Sequence, residues 1–293
     1  MSVEGAVVPI TLIAAVVNGA LGHGFSSITV PLALLVTTNR LLNPALVLVE
    51  VALNGYILSI SRASVSMVWR RVVPMLLGLV PGVIVGAHLL SRIDPDRLKL
   101  GVFAALLPLI LVQAAGVRRP IGAERAVGVP FGAGVGVLYS MTTISGPPLA
   151  LMFNNQGLAK RDFRAVLALV RLGESTLTAV AYGALGLYTA RSVSLSLVIL
   201  PSLVIGVPVG AALIRRLDAE SFRRVCMSFD VWIVGFGLSR VLGDHGRGAS
   251  VLGYAVWTLA VLLDTYLLVR FFRRRVARKS PAVPITRGME AAP

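Results

Sequence analysis

Charged residues and cysteines are scarce in this sequence. Asp, Glu, Lys and Arg together make up 14% of its 293 residues, whereas about a quarter of a soluble domain is charged. The single cysteine, Cys226, excludes an internal disulfide and a cysteine-based metal site. The alternation of apolar and polar residues typical of membrane β-barrels is also missing. A helical membrane protein is the class that remains.

Long apolar runs are what the sequence has instead. Hydrophobic residues make up 56% of the chain and the mean hydropathy is +0.83. Runs of about 20 apolar residues are long enough to cross the hydrocarbon layer of a bilayer. Nine such segments are present, at 6–36, 42–61, 72–91, 98–117, 127–153, 163–187, 192–214, 222–241 and 249–271.

Basic residues exceed acidic ones and give a net charge of +15. They fall in short loops and in the stretch 270–279, so they predict membrane topology and contact with anionic lipid rather than with nucleic acid. No cleavable signal precedes the first apolar segment, which is therefore expected to belong to the mature protein. The polar residues 280–293 are expected to be disordered.

Two of the nine segments are interrupted by small, hydroxylated and helix-breaking residues. One interruption spans 22–31 and the other spans 140–148, where Gly146 precedes two prolines. Irregular backbone at membrane depth is tolerated where protein or a water-filled cavity surrounds it. Broken segments of this kind are the best sequence indication of a transport site.

The two halves of the chain repeat each other. Residues 82–94 and 206–218 are identical at eight of thirteen positions, and 31–34 match 148–151. The shared Gly-xxx-Gly spacing, at Gly82 and Gly86 and at Gly206 and Gly210, predicts close helix packing. We expect a first transmembrane repeat at 1–120, a second at 121–242, an additional transmembrane helix with a basic cytoplasmic segment at 243–279, and a tail at 280–293.

The orientation depends on whether the fifth segment spans the membrane. A re-entrant hairpin there places more of the loop Lys and Arg residues inside than a kinked span does, although the kinked span stays open. The hairpin interpretation predicts an all-α polytopic membrane protein of two inverted repeats. Each repeat is a broken or re-entrant helical hairpin plus three transmembrane helices, with one extra C-terminal transmembrane helix whose end is cytoplasmic.

The repeat, the broken segments and a polar signature in the second half resemble the sulfite exporter TauE/SafE family. The signature comprises 144–151, 155–157, Lys160 and 163–165. The resemblance covers roughly residues 8–242. It implies a multi-pass protein of the bacterial inner membrane that exports small sulfur oxyanions or organosulfonates.

The expected function is that of a secondary transporter that exports sulfite or organosulfonates by alternating access. The alternatives are transport of another small anion such as a carboxylate, a non-transporting membrane scaffold, or a lipid-modifying membrane enzyme. No nucleotide-binding loop of the Gly-x-x-x-x-Gly-Lys-Ser/Thr kind is present. We expect no enzyme activity, no cofactor and no metal. The expected partners are the anion, membrane lipid and, in a homo-oligomer, further copies of the chain.

Hydroxyl groups and helix N-termini suit the binding of a small oxyanion. This chemistry selects residues in the two interruptions and at the exit of the second one. The candidates for substrate binding are His23, Ser26, Ser27, Thr29, Ser140, Thr142, Thr143, Ser145, Gly146, Asn155 and Gln156. For the hydroxyls, the competing interpretation is that they only satisfy the backbone of a hairpin. His23 alternatively bonds a backbone carbonyl beside the break, and the two amides alternatively cap the hairpin exit.

Charged residues inside apolar segments are the second group of candidates, because burying them is costly. Arg171 and Glu174 lie three residues apart, which favours a pair that stabilises the bundle. Glu50 lies near the position of Arg171 in the first repeat and offers a second possible partner. The sharper hypothesis makes Arg171 the countercharge of the anion, held by Glu50 or Glu174 when empty. Asp230 is a candidate for ion coupling.

Overall fold

A computed structural model describes residues 3–116, 124–154, 160–216, 218–244 and 250–279. These residues form eleven α-helices and one 3-10 turn, with no strand among them. The helices are α1 Val3–Leu21, α2 Phe25–Ala33, α3 Asn39–Ser61, α4 Val65–Arg92, α5 Pro95–Ala114, α6 Glu124–Thr142, α7 Gly146–Asn154, α8 Lys160–Ala184, α9 Ala190–Leu213, α10 Ala219–Asp244 and α11 Ser250–Lys279. The turn, Arg62–Ser64, joins α3 to α4.

Eight of these helices are long and apolar enough to cross a membrane, namely α1, α3, α4, α5, α8, α9, α10 and α11. Their outer faces carry large apolar side chains that a soluble protein would bury. Val204 is 74% exposed and Leu259 is 68% exposed. An apolar exterior of this kind suits contact with lipid tails. The predicted class, a polytopic helical membrane protein, is confirmed.

Both predicted interruptions break the helix. The first break separates α1 from α2, and its Gly22 and Gly24 have φ angles of 79° and 109°. The second break separates α6 from α7, and its Thr143 has a φ of 56°. Each following helix has only nine residues. As expected, Gly146 and the two prolines open α7, where missing backbone donors cost little.

The helices pack in cross-pairs: α1 lies along α9, α6 along α4, α3 along α8, and α5 along α10, while α11 covers α10. The predicted glycines lie at the closest of these contacts. A Cβ on Gly210 would overlap the backbone of Val16, and one on Gly82 would overlap the backbone of Ala133. The interpretation of these glycines as packing positions is therefore confirmed.

The contacts also define the relative directions of the helices. Along α4 and α6, Gly78 faces Val129 and Gly86 faces Val137, so these two helices run parallel. Along α1 and α9, Thr11 faces Ser202, and Val16 faces Gly210 farther along both helices, so they also run parallel.

The pair α3 and α8 runs in opposite directions. Asn43, near the start of α3, and Tyr182, near the end of α8, bond to the neighbouring carbonyls of Met141 and Ser140. Near the middle of both helices, Glu50 of α3 meets Arg171 of α8. Residue numbers therefore rise along one helix as they fall along the other.

Candidate functional site

The two helix breaks meet inside the bundle. Gly146, the first residue of α7, lies beside Ser27 in the first turn of α2, and a Cβ on Gly146 would be 3.5 Å from the Ser27 hydroxyl. The first turn of a helix has backbone N–H groups without intrahelical partners and a partial positive charge. Two such helix starts therefore converge at one point, which favours a negatively charged ligand there.

A buried group of three charged residues lies beside the breaks. The Nη2 atom of Arg171 is 3.0 Å from Oε1 of Glu50, and its Nε atom is 4.0 Å from Oε1 of Glu174. Arg171 is 2% exposed and both glutamates are fully buried. The sequence favoured a bundle-stabilising pair of Arg171 with Glu174, but Arg171 lies farther from Glu174 than from Glu50. The bonded partner comes from α3, because the arginine side chain extends across to the facing helix.

Each glutamate also accepts a hydrogen bond from the serine of one break. Ser26 donates to Glu50, and Ser145 donates to Glu174. Tyr139 of α6 donates a further bond to Oε2 of Glu50, at 2.7 Å. Together with the bond from Arg171, Glu50 thus accepts from three groups. The charged group and the two breaks form one connected network.

Arg171 retains hydrogen-bonding capacity that nothing in the described residues uses. Its Nε and Nη1 atoms have no hydrogen-bond partner, and neither has Oε2 of Glu174. A guanidinium presents its N–H groups in a planar fork that matches oxyanions. Leaving such donors unsatisfied at membrane depth is costly, so this arrangement suits a site that a small anion completes.

The other hydroxyls of the second break bond to the backbone. Ser140 donates to the carbonyl of Gly136 and Thr142 to that of Leu138, both at 2.7 Å. Thr142 also accepts from the N–H of Ile144, and Thr143 donates to the carbonyl of Thr142. These three side chains satisfy the hairpin backbone, which was the competing interpretation from sequence. Ser145 is the hydroxyl of this break that joins the charged group.

In the first break, His23 and Ser27 line a small cavity of about 30 Å³ together with Asp230 of α10. Nδ1 of His23 and Oδ1 of Asp230 have no hydrogen-bond partner among the described residues. Thr29 is fully buried and its hydroxyl is likewise unpartnered there. The structure therefore brings Asp230 to the breaks but not into contact with Arg171. Asn155 and Gln156 lie outside the described residues.

Two residues of the site were not predicted from the sequence. Tyr139 bonds Glu50, and Asn43 donates to the Met141 carbonyl at 2.5 Å. Tyr139 directly precedes the polar stretch, so its position was a usable signal. Asn43 carried no such signal, because only the packing of α3 against α6 brings it to the break. Within the described chain, no group of three or more His, Cys, Asp or Glu residues could hold a metal ion.

A lipid-facing helical bundle whose broken helices meet at a buried charged group defines a membrane protein with an intramembrane polar site. The chain belongs to the sulfite exporter TauE/SafE family, a family of membrane transporters, because the family's sequence profile matches residues 7–237. The predicted family is thereby confirmed.

A named relative from Cupriavidus necator is described as a probable sulfite/organosulfonate exporter TauE. It is 28% identical to this chain over 184 residues, which cover 59% of this chain and 68% of the relative. No solved structure matches the chain.

Proposed function

We propose that this chain is a secondary transporter that exports small anions, most specifically sulfite or organosulfonates, across the bacterial inner membrane. The observation that carries the proposal is the buried guanidinium of Arg171, which keeps two unused nitrogen donors beside two converging helix starts. Family membership and the name of the relative support the substrate class.

In this proposal Arg171 and the two helix starts bind the oxyanion. Ser27 and Gly146 lie in the first turns of α2 and α7, next to each other. Glu50 holds Arg171 in position when the site is empty, which limits the cost of an unpaired buried charge. The anion then adds to the free side of the guanidinium without displacing Glu50.

The directions of the helices support two inverted repeats. Helix α6 runs parallel to α4, and α4 reverses the direction of α3 through a single short turn. Helix α8 is antiparallel to α3, as α4 is, so α8 runs parallel to α4 and therefore to α6. The chain between α6 and α8, which includes α7, then has to return to the side of the membrane from which α6 starts. The same reasoning applies to α2, since α1 runs parallel to α9. Both broken segments are then re-entrant hairpins, in repeats that span 1–120 and 121–242.

Inverted repeats give the transporter two related conformations. Their hairpins enter from opposite faces and meet near the membrane midplane, where alternating access requires the binding site to lie. Helix α11 lies outside the repeats. Its basic end, with Arg270 and Arg273 to Arg275, supports a cytoplasmic C-terminus by the positive-inside rule.

A counterflow assay tests the proposed function. Purified protein in liposomes loaded with a sulfonate is expected to accumulate labelled sulfonate from outside until the gradient decays. Liposomes loaded with sulfite, sulfate or a carboxylate give the order of preference, with sulfite and sulfonates first. Equal accumulation in protein-free liposomes, or exchange of carboxylates alone, would contradict the proposal.

Anion binding in this site also involves a proton. The charged group holds two carboxylates and one guanidinium, so its net charge is negative when all three are ionised. Negative charge repels an anion strongly where water is excluded. Glu50 accepts three hydrogen bonds, whereas Glu174 has an unpartnered oxygen. We therefore assign the proton that accompanies the anion to Glu174.

The Glu174→Gln variant should bind a sulfonate with an affinity independent of pH, because an amide replaces the protonated acid. In the unmodified protein, linkage predicts that affinity falls by at most about tenfold per unit rise in pH once Glu174 is ionised in the empty state. Binding of methanesulfonate, which does not titrate in this range, can be followed by calorimetry. A Glu50→Gln control should keep the pH dependence. A pH-dependent sulfonate affinity in the Glu174→Gln variant would rule out Glu174 as the residue that takes up the proton.

A further inference from the structure

A second, larger cavity lies at the end of the bundle where α11 finishes. Its volume is about 460 Å³, and it lies between the end of α5, the start of α10 and the end of α11. Five arginines and one acidic residue line it: Arg223, Arg224, Arg270, Arg274, Arg275 and Glu220. We call it the arginine cavity. The surplus of positive charge makes it attractive to anions.

Two of these arginines form ion pairs with carboxylates of the chain itself. Arg224 is buried and its Nη2 atom is 2.8 Å from Oδ1 of Asp264. Arg275 pairs with Asp218, and its guanidinium holds the pKa of that exposed carboxyl well below the usual range. Both therefore stabilise the junction of α10 and α11 and are less available to a ligand.

Arg270 and Arg274 differ from that pair. Both are exposed and line the cavity, and neither takes part in an ion pair within the described residues. They lie four residues apart on α11, so they occupy the same face of the helix. Two guanidinium groups that belong to no ion pair of the described residues thus line one cavity, an arrangement that suits the binding of an oxyanion.

The arginine cavity adjoins the small cavity at the helix breaks. Gln113, Arg223 and Met227 line both of them. From these three residues the small cavity continues to Ser27 and Gly146, where the helix starts converge. At about 30 Å³ it has room for only roughly one or two water molecules, too little for a sulfonate. The route is present but closed at this constriction.

We propose that the arginine cavity is the cytoplasmic vestibule through which the substrate anion enters the transport site. This inference rests on the proposed transport function and adds the route to it. Arg270 and Arg274 concentrate oxyanions such as sulfonates in the vestibule. Separation of the start of α10 from the end of α5 opens the constriction. The continuity with the helix breaks favours a free anion over a lipid headgroup as the occupant.

Cys226 provides a native reporter, since it is the single cysteine of the chain and lines the small cavity that forms the constriction. Two thiol reagents of similar size test the vestibule: the anionic ethylsulfonate and the cationic ethyltrimethylammonium forms of methanethiosulfonate. Protein in nanodiscs of phosphatidylcholine is treated at low salt, and labelling is followed by mass spectrometry. Rates are divided by those measured with free cysteine.

We expect the anionic reagent to modify Cys226 faster, by ~10-fold at low salt and less at high salt, because a positive cavity concentrates anions. The Arg270→Gln/Arg274→Gln variant should reduce this preference by roughly threefold. The matched control is Arg215→Gln/Arg273→Gln. It removes the same charge near the ends of α9 and α11, from residues that do not line the cavity. It should leave the preference unchanged.

Equal rates for both reagents, or the same loss of preference in the control variant, would overturn the vestibule. So would a Cys226 that neither reagent reaches in the folded protein. Nanodiscs that also contain phosphatidylglycerol test whether a lipid headgroup occupies the cavity. If this lipid abolishes the preference of Cys226 for the anionic reagent, the cavity binds a headgroup and the proposal is overturned. Labelling does not require transport, so its failure and a failure of counterflow can be told apart.

Discussion

Replacing Arg171 with leucine is expected to abolish sulfonate counterflow, with a loss of at least ~100-fold. The substitution removes the guanidinium and leaves the carboxylate of Glu50 buried without its countercharge. The anion loses the two free donors of the guanidinium, and hydrogen bonds of a charged group contribute roughly 1.5–3 kcal/mol each, while about 1.4 kcal/mol corresponds to a tenfold change in rate. Counterflow in liposomes measures the loss.

Stability has to be separated from function in this variant. A double variant, Arg171→Gln/Glu50→Gln, removes both charges and is expected to recover much of the folded yield without recovering transport. Arg171→Lys keeps the charge but loses the planar fork, so it should transport with a raised KM. Full transport by Arg171→Leu in correctly folded protein would refute the role of Arg171 as countercharge.

Replacing Gly132 with alanine is expected to lower the free energy of unfolding by about 1–3 kcal/mol, the usual cost of an overpacked contact. A Cβ at this position would overlap the backbone of Met75, so α4 and α6 would have to separate. These two helices form one of the closest contacts of the bundle. Thermal unfolding in detergent, combined with the yield of monodisperse protein, measures the effect.

Gly134 supplies the matched control. It lies two residues farther along α6 and is exposed, and a Cβ added to it would have no atom within 4 Å. Since alanine favours a helix over glycine by about 1 kcal/mol, Gly134→Ala should leave stability unchanged or raise it slightly. An equal loss in both variants would show that the contact with α4 does not explain the effect.

Features encoded by local pattern were predictable from the sequence. Hydrophobic length identified the spanning helices, and glycine spacing located the contacts at Gly82 and Gly210, because both depend on neighbouring residues along one chain. The breaks were predictable for the same reason, since Gly146 and the two prolines that follow it limit the backbone locally.

Features that depend on which helices meet were harder to predict. The sequence offered Glu174 and Glu50 as partners of Arg171 and favoured Glu174, because spacing along one helix can be read directly. The facing helix α3 determines that Glu50 bonds instead. The sequence comparison of the two repeats also placed Glu50 near the position of Arg171. The serine bonds make Glu50 and Glu174 comparable, since each accepts from the serine of one break.

Tyr139 and the arginine cavity show the same limit. A tyrosine in an apolar helix is compatible with packing or with a membrane interface, and only the arrival of α3 gives its hydroxyl a carboxylate to bond. The cavity is formed by the ends of three helices far apart in sequence. Loop charges favoured one membrane topology, which stays a prediction, but they did not indicate that two arginines of α11 would border a cavity.

Glu50 has a consequence for the integrity of the membrane barrier. One carboxylate bonds Ser26 of α2, in the first broken segment, and Tyr139 of α6, in the second. If either segment withdraws, one of these bonds breaks while the other still anchors the remaining segment. Withdrawal of both together would leave the carboxylate without either hydroxyl donor, a costly state at membrane depth. In the proposed alternating-access cycle, a continuous leak for protons and ions is therefore disfavoured at every stage.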